Sequence, residues 1–220
     1  MLTIKKLEVK LNIEKFIRIN PFLYHLTDRR NLPHIIESRR LMSTSELVNS
    51  SDLENKEDFI RVRRPSHAEL SYNGRTLYIR DQKPISLVVL ERSLTDNWTS
   101  SDFIEHLNKR VFFWPNLNRL QKHFNRYEGE NPVILRFSTD EILALNSDAE
   151  FSRLNSGATR CSSHWNGNAP ERGPRTFLNA QNYMLSERLV AEVTIPNFSF
   201  LPDSFEKTNN PNNNWEVVRI

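Results

Sequence analysis

Phe22-Leu23-Tyr24-His25-Leu26-Thr27-Asp28 runs straight into Arg29-Arg30-Asn31-Leu32-Pro33-His34-Ile35-Ile36. The first seven residues read as a short buried strand ending on a polar step. The next ones read as a helix over about 29–41, with Asp28 as its N-cap. Strand side chains alternate between faces, so His25 and Thr27 point the same way. A histidine and a hydroxyl two residues apart on one face grip a polar ligand together. The competing reading is a satisfied histidine on a half-buried strand.

Working outward from that strand, the spacing of apolar residues predicts a short helix around Leu11–Ile19, closed by Asn20-Pro21. Residues 43–75 are polar and show no readable period. Thr76–Ile79 and Ser86–Leu90 read as strands, the second with a helical alternative. Thr99 or Ser100 caps a helix carrying Phe103, Ile104 and Leu107, which delivers the chain to the aromatic strand Arg110-Val111-Phe112-Phe113-Trp114-Pro115. A polar helix follows over about 116–127, then strand Pro132–Phe137, and a helix over about 140–145 capped from Ser138. Residues 152–176, rich in Asn, Ser, Gly, Pro and Arg, form a long loop of the kind that often carries function. Leu189–Ile195 is the last strong strand, and Trp215–Ile220 closes a sheet edge. Helices early and strands throughout indicate an α+β fold rather than alternating βαβ units.

Composition bounds the function. The 220 residues suffice for one domain with a real core, and 38% hydrophobic with 26% charged residues describes a globular chain. The net charge is only +3, with 30 basic residues against 27 acidic, so a nucleic-acid partner is permitted and not demanded. The basic residues are bunched: Arg29-Arg30, Arg39-Arg40, Arg61 with Arg63-Arg64, and Arg119, Lys122 and Arg126. The single cysteine, Cys161, excludes an internal disulfide and a Cys-rich metal site. The six histidines are scattered without metal spacing, and no metal is expected. No secretory h-region opens the chain and no apolar run reaches the length of a membrane span, so a cytoplasmic protein is the expectation. Five glycines and no Gly-x-Gly-x-x-Gly, Gly-x-Ser-x-Gly or His-Glu-x-x-His argue against a Rossmann loop, a nucleophile elbow and a zincin.

Two further constellations bear on chemistry. Along the aromatic strand, Val111 and Phe113 share one face and Phe112 and Trp114 the other; one face packs inward while the other offers a wall to a flat ring. Arg110 stands at its start, ready for a phosphate or carboxylate. In Ser186–Pro196, Glu192 interrupts an apolar strand and shares a face with Val190 and Thr194. An inward carboxylate there costs several kcal/mol unless paired, which suits a cleft floor, though a solvent-facing position is equally compatible. Glu187, just ahead of the strand, is the competing carboxylate. The loop sequence Asn155-Ser156-Gly157-Ala158-Thr159-Arg160 sets small residues beside an arginine, as a phosphate wrap or an ordinary turn.

Taken in order, Tyr24-His25-Leu26-Thr27 with Asn31-Leu32-Pro33, then Val111–Pro115, then Ala191-Glu192-Val193-Thr194-Ile195-Pro196 resemble the three motifs of the ADP-ribosyltransferase superfamily, and within it the DarT-like branch. The resemblance covers about residues 20–205 of a single 1–220 domain and implies a split β-sandwich with flanking helices. It implies NAD as co-substrate, with Glu192 catalytic (Glu187 its competitor) and no metal. His25 and Thr27 would hold a ribose, Phe113 or Trp114 would stack on nicotinamide, and Asn31, Arg110 and Arg160 would orient amide and phosphates. The acceptor it implies is nucleic acid, RNA favoured over DNA, in a bacterial toxin–antitoxin or phage-defence setting with an antitoxin, and a chaperone, as partners. Phe113-Trp114 stands where many relatives carry a tyrosine. The alternatives are an RNA 2′-phosphotransferase-like enzyme, a metal-free ribonuclease using His25 or His106, and a non-catalytic NAD- or nucleic-acid-binding module.

Overall fold

The computed structural model describes residues 10–159 and 169–220. Its frame is two four-stranded antiparallel sheets. The first has the order β1 (Phe22–Asp28), β6 (Pro132–Ser138), β11 (Ser204–Thr208), β12 (Glu216–Arg219), with β1 and β6 paired along their whole length from Phe22↔Ser138 to Asp28↔Pro132. The second has the order β5 (Arg110–Phe113), β9 (Glu192–Pro196), β7 (Glu150–Ser152), β8 (Leu178–Asn179). The inner faces meet in the main core, where Leu23, Val133, Leu135 and Phe137 of the first sheet pack with Val111, Phe113, Phe151, Val193 and Ile195 of the second. The mixed composition of antiparallel sheets and helices agrees with the expected α+β class.

Helices cover the remaining faces. Helix α1 (Ile13–Ile19), capped by the Asn12 side chain, buries Phe16 edge-on against Phe151 at 5.5 Å. Helix α6 (Ser100–Asn108) starts in a reciprocal capping box between Thr99 and Asp102, a device that satisfies two orphan N–H groups. It packs Phe103, Ile104 and Leu107 with Phe112 and Phe177 on the outer side of the second sheet. Helix α7 (Leu117–Tyr127) lays Leu120, Phe124 and Tyr127 over Tyr24, Leu26 and Ile134 of the first. Helix α8 (Thr139–Leu145) is capped by Ser138, as read from the sequence. No helix among the described residues is long and apolar enough to cross a membrane.

Several expectations are corrected. The single helix over about 29–41 is three pieces: a 3-10 turn at Arg29–Asn31, helix α2 (Leu32–Ser38) and strand β2 (Arg40–Met42), which pairs with β10 (Phe198–Phe200). Arg39 breaks the helix in the left-handed region at φ 54°. Ser86–Leu90 is helix α5 (Leu87–Glu91), because Leu90 is buried against α6 and tertiary packing overrides the β-branched Val88-Val89 pair. The unreadable stretch holds helices α3 (Thr44–Asn49) and α4 (Lys56–Arg61) and strand β3 (Ala68–Tyr72), which forms a hairpin with β4 (Arg75–Ile79), the strand expected over Thr76–Ile79. Its turn is Asn73-Gly74, both at positive φ, the signature of a tight hairpin.

Candidate active site

The two sheets are joined at one seam and separate beyond it. Tyr24 and Trp114 exchange both backbone bonds (2.9 and 2.8 Å), so β1 meets the chain just past β5. One residue on, the His25 ring crosses the seam and its Nδ1 lies 2.9 Å from the Phe112 carbonyl. A carbonyl only accepts, so Nδ1 carries the proton. Burial holds His25 well below the usual histidine range, at about 4, and the ring is neutral at physiological pH. Its Nε2 is therefore a bare acceptor, and no other bond to this ring is made among the described residues. Beside it Thr27 is buried, and its Oγ1 accepts only a long 3.3 Å bond from Asn31 Nδ2, leaving the hydroxyl proton to be donated. His25 and Thr27 thus present one acceptor and one donor on the same strand face. Both line a cavity of about 260 Å³, just below the usual range of ligand sites.

Glu192 opens β9 and reaches the same cavity. It is only 2% exposed, and both bonds it accepts, from Ser156 N (3.1 Å) and Ser156 Oγ (2.6 Å), fall on Oε2. Burial pushes its carboxyl up to about 7, against the opposing pull of those two bonds and of the Arg172 and Arg119 charges. The loop that supplies Ser156 is itself braced: the buried Arg172 guanidinium donates to the carbonyls of Ser156, Pro170 and Ala158. Arg172 is thus spent on bracing the loop that holds the Glu192 carboxylate and is not free for a phosphate.

Arg80, directly after β4, is the residue that sequence reasoning missed. One guanidinium nitrogen donates to the Thr27 carbonyl at 2.8 Å, and the plane lies 4.5 Å over the Tyr127 ring. Its Nε and NH1 are buried and have no hydrogen-bond partner among the described residues. Burial lowers its pKa, yet an arginine keeps its charge. Arg80 is half-buried and its charge is felt by Asp28, Glu130 and Asp81, yet its two unfilled N–H donors beside the cavity suit an anion. The wall continues through Tyr127, His123 and Trp114, with His123 stacked 4.6 Å from Trp114 and held neutral, at about 3, first of all by burial. The signal available in the sequence was Asn73-Gly74, which predicts the hairpin that sets Arg80 here.

The other expected site residues divide. Trp114 lines the cavity, as does Phe112, whereas Phe113 is fully buried in the main core. Alternation along β5 separates them, and Phe113 offers no face to a ligand. Asn31 lines the cavity but spends both ends of its amide on the Tyr78 backbone (2.8 and 2.9 Å), pinning β4 to the first motif. Arg110 also lines it, yet pairs with Glu150 through Nε (2.8 Å) and NH2 (2.7 Å), donates to the His106 carbonyl at 2.7 Å and stacks on Phe177. Arg110 is closed to a phosphate. Glu187 lies outside the cavity, on a 3-10 turn, tied to α1 by Lys15 at 2.7 Å, whose ammonium holds its carboxyl below the usual range. Arg160 lies outside the described residues.

The scattered histidines do not exclude a cation site in space. His67, Asp81 and Glu130 bring ligand atoms within 4.8 Å of one another. Asp81 N donates to His67 Nδ1, His67 Nε2 meets Glu130, and the Lys83 ammonium sits 3.0 Å from Asp81 Oδ2. Lys83 competes with any cation for Asp81 Oδ2.

A profile of the family described as "Family of unknown function (DUF7002)" matches residues 21–198, and the chain belongs to that family. No curated protein and no solved structure matches it.

Proposed function

We propose that the protein is an NAD-consuming ADP-ribosyltransferase with a split β-sandwich of the superfamily's kind, acting on nucleic acid with RNA as the favoured acceptor. The observation that carries this reading is the convergence of Glu192, His25 with Thr27, and Arg80 on one cavity. The residues fit the co-substrate by their chemistry. The acceptor Nε2 of His25 and the donor hydroxyl of Thr27 match the two hydroxyls of a ribose. The unpaired N–H groups of Arg80 match a diphosphate. The Trp114–His123–Tyr127 wall matches a flat ring.

NAD supplies the ADP-ribosyl group and a nicotinamide that leaves with the electron pair of the broken N–ribose bond. Glu192, as carboxylate, stabilises positive charge growing on the ribose and accepts a hydrogen bond from a ribose hydroxyl. It also takes the proton of the attacking acceptor group. Ser156, braced by Arg172, fixes the direction of that carboxylate. A cytoplasmic toxin restrained by an antitoxin is part of the same reading and rests on the resemblance of the three motifs.

The ribonuclease alternative has less support. His106 does not line the cavity, and its Nδ1 faces Arg110 at 3.0 Å. The deciding experiment incubates the protein with labelled NAD and separate pools of RNA, DNA and protein. Label in the RNA pool with matching nicotinamide release is expected. No transfer and no nicotinamide release overturns the enzyme reading, and RNA cleavage without NAD favours the nuclease.

A further inference from the structure

Helix α7 reads Leu117-Asn118-Arg119-Leu120-Gln121-Lys122-His123-Phe124-Asn125-Arg126-Tyr127, with no acidic residue in it. At about 100° per residue, Arg119, Lys122 and Arg126 fall within an arc of about 60°. Leu117, Leu120, Phe124 and Tyr127 occupy the buried arc, packed over the first sheet. His123 falls between the two arcs, so the cationic stripe lies on the shoulder next to the cavity, and Arg126 itself lines that cavity. Asn118, Gln121 and Asn125 hold the opposite, neutral shoulder, and Glu128, which caps the helix in helical conformation, points to that far side as well.

The three cations are exposed, and none of them forms an ion pair among the described residues. Glu130 meets His67 and Asp81 meets Lys83. At the other end of the stripe, the Arg119 charge acts on Glu192 and lowers its pKa. The stripe thus runs beside the cavity from Arg126 in its wall to Arg119 within electrostatic reach of the buried carboxylate. A solvated helix face normally mixes signs, and this one does not.

We infer that this face of α7 is the track for the phosphate backbone of a single-stranded RNA, laid so that the strand passes the mouth of the cavity. The inference rests on the transferase reading and adds to it the surface that presents the acceptor. Arg119 to Arg126 spans about 10 Å at 1.5 Å per residue. That is about three steps at the 3.4 Å rise of a stacked strand, so the three cations are spread along about four phosphates. Arginine suits this role because its fork meets phosphate oxygens in pairs.

The test is fluorescence anisotropy of a 5′-labelled single-stranded RNA against the full chain, over a series of salt concentrations and without NAD. Arg119→Gln/Lys122→Gln/Arg126→Gln is compared with Asn118→Asp/Gln121→Glu/Asn125→Asp, which changes the net charge equally from the neutral shoulder. The stripe variant should weaken binding at least 30-fold at low salt. It should also flatten the slope of log affinity against log salt by about 2, from 0.7 per lost contact. The shoulder variant should keep most of that slope. Circular dichroism checks that both variants are folded. Equal losses in the two variants, an unchanged slope in the stripe variant, or equal binding of a polyglutamate competitor overturns the track. Because binding is read without NAD, its failure is distinct from an absence of nicotinamide release by the unaltered protein.

Discussion

Arg80 and Arg110 line the same cavity from two different walls, and they differ in what is left over for a ligand. On the β5–α6 wall, Arg110 is closed by Glu150, His106 and Phe177. On the β4–α7 wall, Arg80 makes one bond to the Thr27 carbonyl and keeps two buried donors unpaired. The two carboxylates divide in the same way. Glu187 is neutralised by Lys15 outside the cavity, whereas Glu192 is buried in it with its carboxyl pushed up to about 7. Closed polar groups contribute stability, and open ones store an unmet interaction that a bound molecule completes.

The largest expected effect separates the carboxylates. Glu192→Gln should lower nicotinamide release by roughly 100-fold or more, a loss typical of removing a group that acts on transition-state charge. Glu187→Gln should leave turnover within about twofold and cost about 1 kcal/mol of stability through the lost contact to Lys15. Equal losses in the two variants would dissolve the distinction. Next, Arg80→Ala should raise the KM for NAD by roughly 10- to 100-fold, the scale of a charge-assisted bond or two. Arg110→Ala should leave KM nearly unchanged and cost about 1–2 kcal/mol in urea unfolding by stranding Glu150. A reversed pattern would mean that the ion pair opens for the ligand.

The pH dependence sharpens the same contrast. With the Glu192 carboxyl at about 7, kcat/KM for NAD should fall tenfold per pH unit below about 7 and level off above it. The stability effect has the opposite sign. A carboxyl raised in the folded state above its ordinary 4.5 contributes stability that is complete below pH 4.5 and lost as pH rises through 7. Glu192→Gln should therefore raise the melting temperature by roughly 10 °C at pH 8 and leave it unchanged near pH 4. A smaller effect on the chemistry than that of Arg80→Ala is expected from Asn31→Ala. It removes both amide bonds to the Tyr78 backbone, lowers stability by about 2 kcal/mol, and raises KM a few-fold by loosening the strand that carries Arg80.

Much of the frame was legible because its signals are local. Apolar runs marked β1, β5, β6 and β9, although the last starts at Glu192 and not at Leu189, which ends a 3-10 turn, and side-chain caps marked Thr99 and Ser138 as helix starts. The unread strands β7, β8, β10 and β11 are two to five residues long, and β7, β10 and β11 each have a partner that is not their neighbour in the chain. Such segments carry too few residues for a period to show. The apolar run at Leu87–Leu90 fits strand or helix by pattern, and packing on α6 chose the helix. Asn73-Gly74 was a hairpin signal in plain sight whose preceding flank was too polar to read as a strand.

By itself the sequence determined which chemical groups the site can contain. His25 and Thr27 share a face because strand side chains alternate, Phe112 and Trp114 oppose Val111 and Phe113 for the same reason, and Glu192 breaks an apolar strand. Only the tertiary structure decided which of those groups remain available. Whether an arginine or carboxylate is free depends on partners 40 or more residues away, as Arg110 with Glu150 and Asn31 with Tyr78 demonstrate. Periodicity is a property of neighbours along the chain, whereas satisfaction of a buried charge is a property of neighbours in space.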